Sequence, residues 1–246
     1  MKKLVVLAVI LGLLTLGGGM ALGKERVWTV ATDATFAPFE SVDPVTEEYV
    51  GFDIDLIKAL GAEAGVTVEI VNVAWDGLIP GLLNGNYDMI IAAMTITPER
   101  AMAVDFSDPY FRASQLILVA NDNDSIHGPE DLVGKYVTVQ MGTTGDLYVS
   151  DSDVGRVGRF NTAPEALLEV MNGVADACVV DEAVAKAYVD NNPGQVKIVG
   201  VPFTDEAYGI ALKKGQTQLL KEVNSALAAV KAKGIYDEIY SKYFAD

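Results

Sequence analysis

Apolar positions recur along this chain with two periods, and the two periods take turns. Val27 to Ala31 is an apolar run of strand length, and Val66 to Val73 is β-branched and alternating. Between them, Ile54, Ile57, Leu60 and Ala64 fall on one helical face. Trp75 and Asp76 precede a short helix carrying Leu78, Ile79, Leu82 and Leu83. Met89 to Ala93 reads as a buried strand, and Leu116 to Ala120 and Tyr136 to Gln140 as further strands. Leu219, Val223, Leu227 and Val230 line one face of a late helix, and Tyr236, Ile239, Tyr240 and Phe244 continue the apolar contact. Strands alternating with helices predict an α/β fold of mostly parallel sheets covered on both faces. Ligands of such sheets sit beyond the carboxyl ends of the strands.

A faint internal repeat divides this pattern. Leu82-Leu83-Asn84-Gly85-Asn86-Tyr87-Asp88 precedes the apolar run Met89 to Ala93, and Val170-Met171-Asn172-Gly173-Val174-Ala175-Asp176 precedes Ala177 to Val180. Each copy reads as a helix end, a glycine able to take the left-handed stop, an aspartate and a buried strand. Thr162 and Glu165 have capping-box spacing at the start of the second helix. Two similar α/β lobes follow, with strand ends at Ala92 to Thr95 and at Val180-Asp181. If both face one cleft, they form a trap for a ligand.

The segment Met89 to Phe111 carries the clearest chemistry. Thr97 fits a helix N-cap and Pro98 the first helical position, where a missing N–H costs nothing. Arg100 then lies in the first turn, beside unpaired backbone N–H groups and the positive end of the helix dipole. A guanidinium among such donors suits a small carboxylate. The alternative is a surface arginine paired with Glu99 or Asp105.

Composition narrows the class. Lys2 and Lys3 precede the apolar run Leu4 to Leu16, followed by small residues to Gly23. That is the form of a signal peptide over residues 1–23, cleaved after Gly23, with an uncleaved anchor as the alternative. No cysteine lies near that point, which disfavours a lipid anchor. The net charge is -16, and removing the two lysines makes it about -18, which disfavours nucleic acid and anionic membranes. The single cysteine, Cys178, lies in an apolar run and reads as a core residue; the single histidine, His127, lies in a polar loop. No zinc cluster and no Ser or Cys triad is visible, and no cofactor or metal is expected.

Several stretches together carry a resemblance. They are Ala31-Thr32-Asp33-Ala34-Thr35-Phe36-Ala37-Pro38-Phe39-Glu40, Gly51-Phe52-Asp53-Ile54-Asp55-Leu56, Thr95 to Arg100, Asp105-Phe106-Ser107-Asp108 and Gly142-Thr143-Thr144. In this order the chain resembles the extracytoplasmic solute-binding proteins for polar amino acids, which serve ATP-binding-cassette (ABC) importers. The glutamine-, histidine-, lysine/arginine/ornithine- and arginine-binding proteins are the nearest groups. The resemblance implies a two-lobed, type II periplasmic-binding-protein-like fold with two hinge crossings, near 110–114 and 204–208. Lobe 1 would comprise 24–110 and 208–246, and lobe 2 residues 114–204.

The resemblance also implies roles. Arg100 would hold the ligand α-carboxylate, helped by the backbone N–H groups of Thr95 and Thr144. Asp181 would take the α-ammonium, with the Ala93 carbonyl and Thr95 hydroxyl as further acceptors. Phe36 and Trp75 would pack on the ligand side chain, with Asp33 at its far end, and Gln140 matches a further pocket position. Read alone, Phe36 and Trp75 could be core aromatics, Asp33 an Asx-turn residue and Asp181 a helix cap. Gly142 to Gly145 could be a plain turn.

Glutamine binders of this group carry Lys at Gln140 and His at Val180, and histidine and lysine/arginine/ornithine binders carry serines at Ala92 and Ala93. This chain has none of these. A guanidinium between Phe36 and Trp75, tied to Asp33, then makes arginine the first expected ligand, with glutamine or another basic amino acid next. The expected partner is an ABC permease, the expected state a monomer, and the expected location periplasmic or otherwise extracytoplasmic. The alternatives are a prephenate or arogenate dehydratase on the same fold, or a ligand-sensing module.

Overall fold

The computed structural model describes residues 26–244. The signal-peptide assignment lies outside them.

The chain opens with β1 (Val27–Thr32), a small antiparallel sheet of β2 (Thr35–Phe36), β3 (Glu40–Val42) and β4 (Tyr49–Val50), then α1 (Phe52–Ala64) and β5 (Thr67–Asn72). It continues through α2 (Trp75–Asn84), β6 (Met89–Ile90), α3 (Pro98–Ala103) and β7 (Val104–Phe106). A first crossing strand, β8 (Phe111–Ala113), leads to β9 (Gln115–Ala120), β10 (Tyr136–Gln140), α4 (Thr144–Ser150) and β11 (Arg156–Phe160). Then come α5 (Ala163–Met171), β12 (Ala177–Asp181), α6 (Glu182–Asn191) and β13 (Val196–Val199). A second crossing, β14 (Glu206–Tyr208), returns to β15 (Ala211–Lys213), α7 (Thr217–Ala232) and α8 (Ile235–Phe244).

Two five-stranded sheets result, ordered β5-β1-β6-β15-β7 and β11-β10-β12-β9-β13. In each, the first two pairings are parallel and the last two antiparallel, so that the fourth strand alone runs against the others. The sheets are thus mixed rather than mostly parallel. The parallel pairs come from helix crossovers, and the antiparallel strands flank the two crossings. The crossings β8 and β14 pair with each other as a two-stranded ribbon between the lobes.

The repeat appears as equivalent structure. Gly85 and Gly173 both take left-handed φ, 78° and 68°, where a Cβ would be strained. The Asp88 carboxylate accepts from the Thr29 N–H at the start of lobe 1, and the Asp176 carboxylate from the Tyr136 N–H in lobe 2, each at 2.8 Å. The capping box at Thr162 and Glu165 is formed. On α1, Ile54, Ile57 and Leu60 are fully buried, with Ala64 packed at the edge of the same core. Each large aliphatic side chain buried this way contributes about 1.5–3 kcal/mol.

Three boundaries differ from the sequence expectation. Trp75 and Asp76 lie inside the first turn of α2 rather than before it. β5 is an edge strand with several exposed residues. The strand after Asp88 pairs only over Met89–Ile90, although burial continues to Thr95. The backbone turns there, because Ala93 takes φ 44°. Such a non-glycine conformation costs about 1–2 kcal/mol and has to be held. Asp53 holds it, accepting the Ala93 N–H at 2.7 Å.

Candidate functional site

A cleft holding about 310 Å³ of space, open solvent included, lies between the lobes. Asp33, Phe36, Trp75, Ala93, Thr95, Arg100, Gln140, Thr144 and Asp181 all line it, as do Glu40, Ala92 and Thr143. All nine residues expected from the sequence thus meet in one place. The reason is topological: Asp33 follows β1, Gln140 and Asp181 end β10 and β12, and Ala93 and Thr95 follow β6. Each is at the carboxyl end of a parallel strand.

Arg100 is set by α3. The Thr97 hydroxyl caps the helix by accepting the Arg100 N–H at 3.1 Å, and Pro98 opens it. The guanidinium donates to the Thr95 carbonyl at 2.8 Å and, across the cleft, to the Gly142 carbonyl at 3.2 Å. It also lies 5.0 Å from the Trp75 ring centroid. Its described hydrogen bonds go to neither Glu99 nor Asp105. Trp75 therefore serves both the cavity wall and the cation, a cation–π contact worth about 0.5–2 kcal/mol. Burial lowers the Arg100 pKa, but no protein environment of this kind deprotonates a guanidinium.

Asp181 does not cap α6, since no side-chain capping bond is formed. Its carboxylate instead accepts the Tyr208 hydroxyl at 2.5 Å. Burial pushes its pKa up to about 6, and Glu206 pushes the same way against the opposing pull of Tyr208, Gln115 and Arg100. Asp33 accepts the Thr35 hydroxyl at 2.9 Å and the Gln140 amide at 3.1 Å, the latter across the cleft. Burial raises its pKa. Gln140 also donates to the Asn161 carbonyl at 3.1 Å.

Three residues carry more of the site than the sequence suggested. Glu40 lines the cavity, is 1% exposed, and neither of its oxygens meets a donor among the described residues. It lies against Asp53, and burial followed by that repulsion holds its pKa well above the usual carboxylate range. Asp53 accepts the Ala93 N–H and the Tyr110 hydroxyl, each at 2.7 Å. A signal for Asp53 was present, since position 53 shares a helical face with Ile57, Leu60 and Ala64. Glu206, on β14, bonds its neighbour Thr204 and also Thr95 and Thr144, the last two too far away in sequence to be anticipated. Among the described residues, no cluster of His, Cys, Asp or Glu could hold a metal ion, and no helix is long and apolar enough to cross a membrane.

A cleft at strand ends, flanked by two similar lobes and lined by one guanidinium and several acids, defines a binding protein for a small charged molecule. Residues 28–246 match the family described as bacterial extracellular solute-binding proteins, family 3, and the chain belongs to it. A probable histidine-binding protein of Neisseria gonorrhoeae is 38% identical, covering 100% of this chain and 96% of its own length. The ABC transporter arginine-binding protein 1 of Escherichia coli K12 is 36% identical, with 99% of each covered. Solved structures of an ancestral arginine-binding protein, one bound to arginine and one to glutamine, are 48% identical with a TM-score of 0.86. They cover 90% of this chain and 99% of theirs. These relatives are binding proteins rather than enzymes.

Proposed function

We infer that this protein captures a free L-amino acid outside the cytoplasm and hands it to an ABC permease. Arginine is the first ligand, and glutamine or another basic amino acid the next. The observation that carries this is the charge pattern of the cavity. Asp33 and Asp181 line it against a single lining cation, Arg100, while burial against Asp53 holds the third lining acid, Glu40, toward its neutral form. One carboxylate on Arg100 and one ammonium at Asp181 account for an amino-acid backbone. Asp33, with Phe36 and Trp75, favours a flat cation at the far end. A second carboxylate there would be repelled.

Binding draws on both lobes: Arg100, Thr95, Phe36, Trp75 and Asp33 on one side, Gln140, Thr144 and Asp181 on the other. The ligand therefore favours the closed arrangement by differential contact, with β8 and β14 as the hinge; periplasmic binding proteins as a class close around their ligands in this way. Lobe 1 comprises 24–110 and 208–246, lobe 2 comprises 114–204, residues 1–23 direct export, and the protein acts as a monomer.

A thermal-shift panel of the common amino acids, on protein unfolded and refolded to strip ligand, tests this. A ligand at about a thousand times its Kd adds about 4 kcal/mol of stability. A large shift with arginine, abolished by Arg100→Ala, is expected. A shift with glutamine alone would refute the arginine assignment, and no shift with any amino acid would overturn the binding reading.

A further inference from the structure

Glu206 is assigned to neither end of the bound amino acid, yet it sits where the two lobes and the hinge meet. Its Oε2 accepts the Thr95 hydroxyl at 2.7 Å and the Thr144 hydroxyl at 2.8 Å. Its Oε1 accepts the Thr204 hydroxyl at 2.8 Å. Thr95 precedes α3 in lobe 1, Thr144 opens α4 in lobe 2, and Glu206 lies on the crossing β14. One oxygen thus joins three parts of the molecule.

We propose that Glu206 is a positioning residue that couples recognition of the ligand's α-ammonium to lobe closure, by taking the hydroxyl protons of Thr95 and Thr144 on a single oxygen. The proposal rests on the amino-acid-binding reading. A hydroxyl has one proton and two lone pairs. A carboxylate has no proton to give, so both threonines must donate to Glu206. Thr144 also accepts from the Gln115 amide at 3.2 Å, which fixes the direction of that hydroxyl independently. Both threonines line the cavity, and with their protons taken by Glu206 their hydroxyls can offer it lone pairs alone. Lone pairs accept from an ammonium and repel a carboxylate. Glu206 thereby selects an amine at this point without contacting it.

The same geometry reports closure. Hydroxyl bonds to a carboxylate are short and about twice as strong as neutral ones. The pair on Oε2 forms only when Thr95 and Thr144 are brought together, that is, when the lobes meet. The Thr95 carbonyl in turn receives Arg100, so the chain Glu206, Thr95, Arg100 ties the ammonium end of the site to the carboxylate end.

The test compares the wild type's preferred amino acid, among arginine, lysine, histidine and glutamine, with its des-amino analogue. Calorimetry and stopped-flow dissociation are measured for the wild type, Glu206→Gln, Glu206→Asp, Thr144→Val and the double variant Glu206→Gln/Thr144→Val. An amide that places its nitrogen where Oε2 sits can only donate to the two hydroxyls, which frees their protons to turn toward the cavity. The expected result is a preference for the amine-bearing ligand reduced about tenfold in Glu206→Gln, with faster dissociation and the analogue's affinity within about threefold of wild type. Glu206→Asp, which keeps the charge but shortens the reach, should fall between. The double variant should be no worse than the weaker single one, because both changes break one link. Equal losses for ligand and analogue, an unchanged preference, or additive effects would overturn the proposal while leaving amino-acid binding intact. A wild type that binds no amino acid would overturn both.

Discussion

The two lobes share one plan and differ at the point that matters for binding. Both have a central parallel strand flanked by two others, a glycine-stopped helix, and an aspartate tying that stop to the first strand. In lobe 2, β12 runs five residues straight to Asp181 and into α6. In lobe 1, the equivalent strand β6 pairs for two residues, then turns at Ala93 and delivers Thr95 and Arg100 through a separate short helix. One strand end therefore presents an acid and the other a guanidinium. The same crevice, used twice with opposite charge, makes a site for a zwitterion.

Core substitutions are the strongest way to break this equivalence. Leu60 packs α1 in lobe 1 and Leu167 packs α5 in lobe 2, both fully buried. Each change to alanine should cost about 2–5 kcal/mol. Chemical denaturation followed by circular dichroism checks whether both shift one transition. If one shifts only part of the signal, the lobes unfold separately.

Next come the charges. Arg100→Ala and Asp181→Asn should each weaken the bound amino acid about a hundredfold, close to 2.7 kcal/mol, measured by calorimetry. A large loss from only one of them would mean that the zwitterion is not bridged between lobes.

The pH dependence sharpens the same contrast, because only the acid of the pair titrates near neutrality. Asp181, with a pKa of about 6, must be ionised to hold an ammonium. Below that pH the ligand has to displace a proton, so affinity should fall by up to about tenfold per pH unit and level off above it. Arg100, Glu206, Tyr208 and Glu40 face the same group. The slope belongs to Asp181 if Asp181→Asn abolishes it.

The smallest effect tests the repeat itself. Asp88→Ala and Asp176→Ala each remove a carboxylate from a backbone N–H and should cost about 1–2 kcal/mol in thermal unfolding. Unequal costs would show that equivalent bonds do unequal work in the two lobes.

Much of this was legible in local order. Thr97, Pro98 and Arg100 are read correctly because capping depends on neighbours. Gly85 and Gly173 are read correctly because a helix stop needs a backbone that only glycine takes cheaply. The nine cavity residues were identified through resemblance, since spacing alone left Phe36, Trp75, Asp33 and Asp181 open. Asp53 was a visible anomaly, an acid on an apolar helical face, but its partner Ala93 lies 40 residues away.

The sequence by itself determined the longer elements, the repeat, and the chemical types at the strand ends, because periodicity and capping act over a few residues. Tertiary structure alone decided three things. It set one strand against the other four in each sheet, it placed Glu40 against Asp53, and it joined Thr95 and Thr144 on Glu206. Each depends on groups far apart in the chain meeting in a desolvated space, where a lone carboxyl must find a proton or a donor. No local pattern encodes which distant residue supplies it.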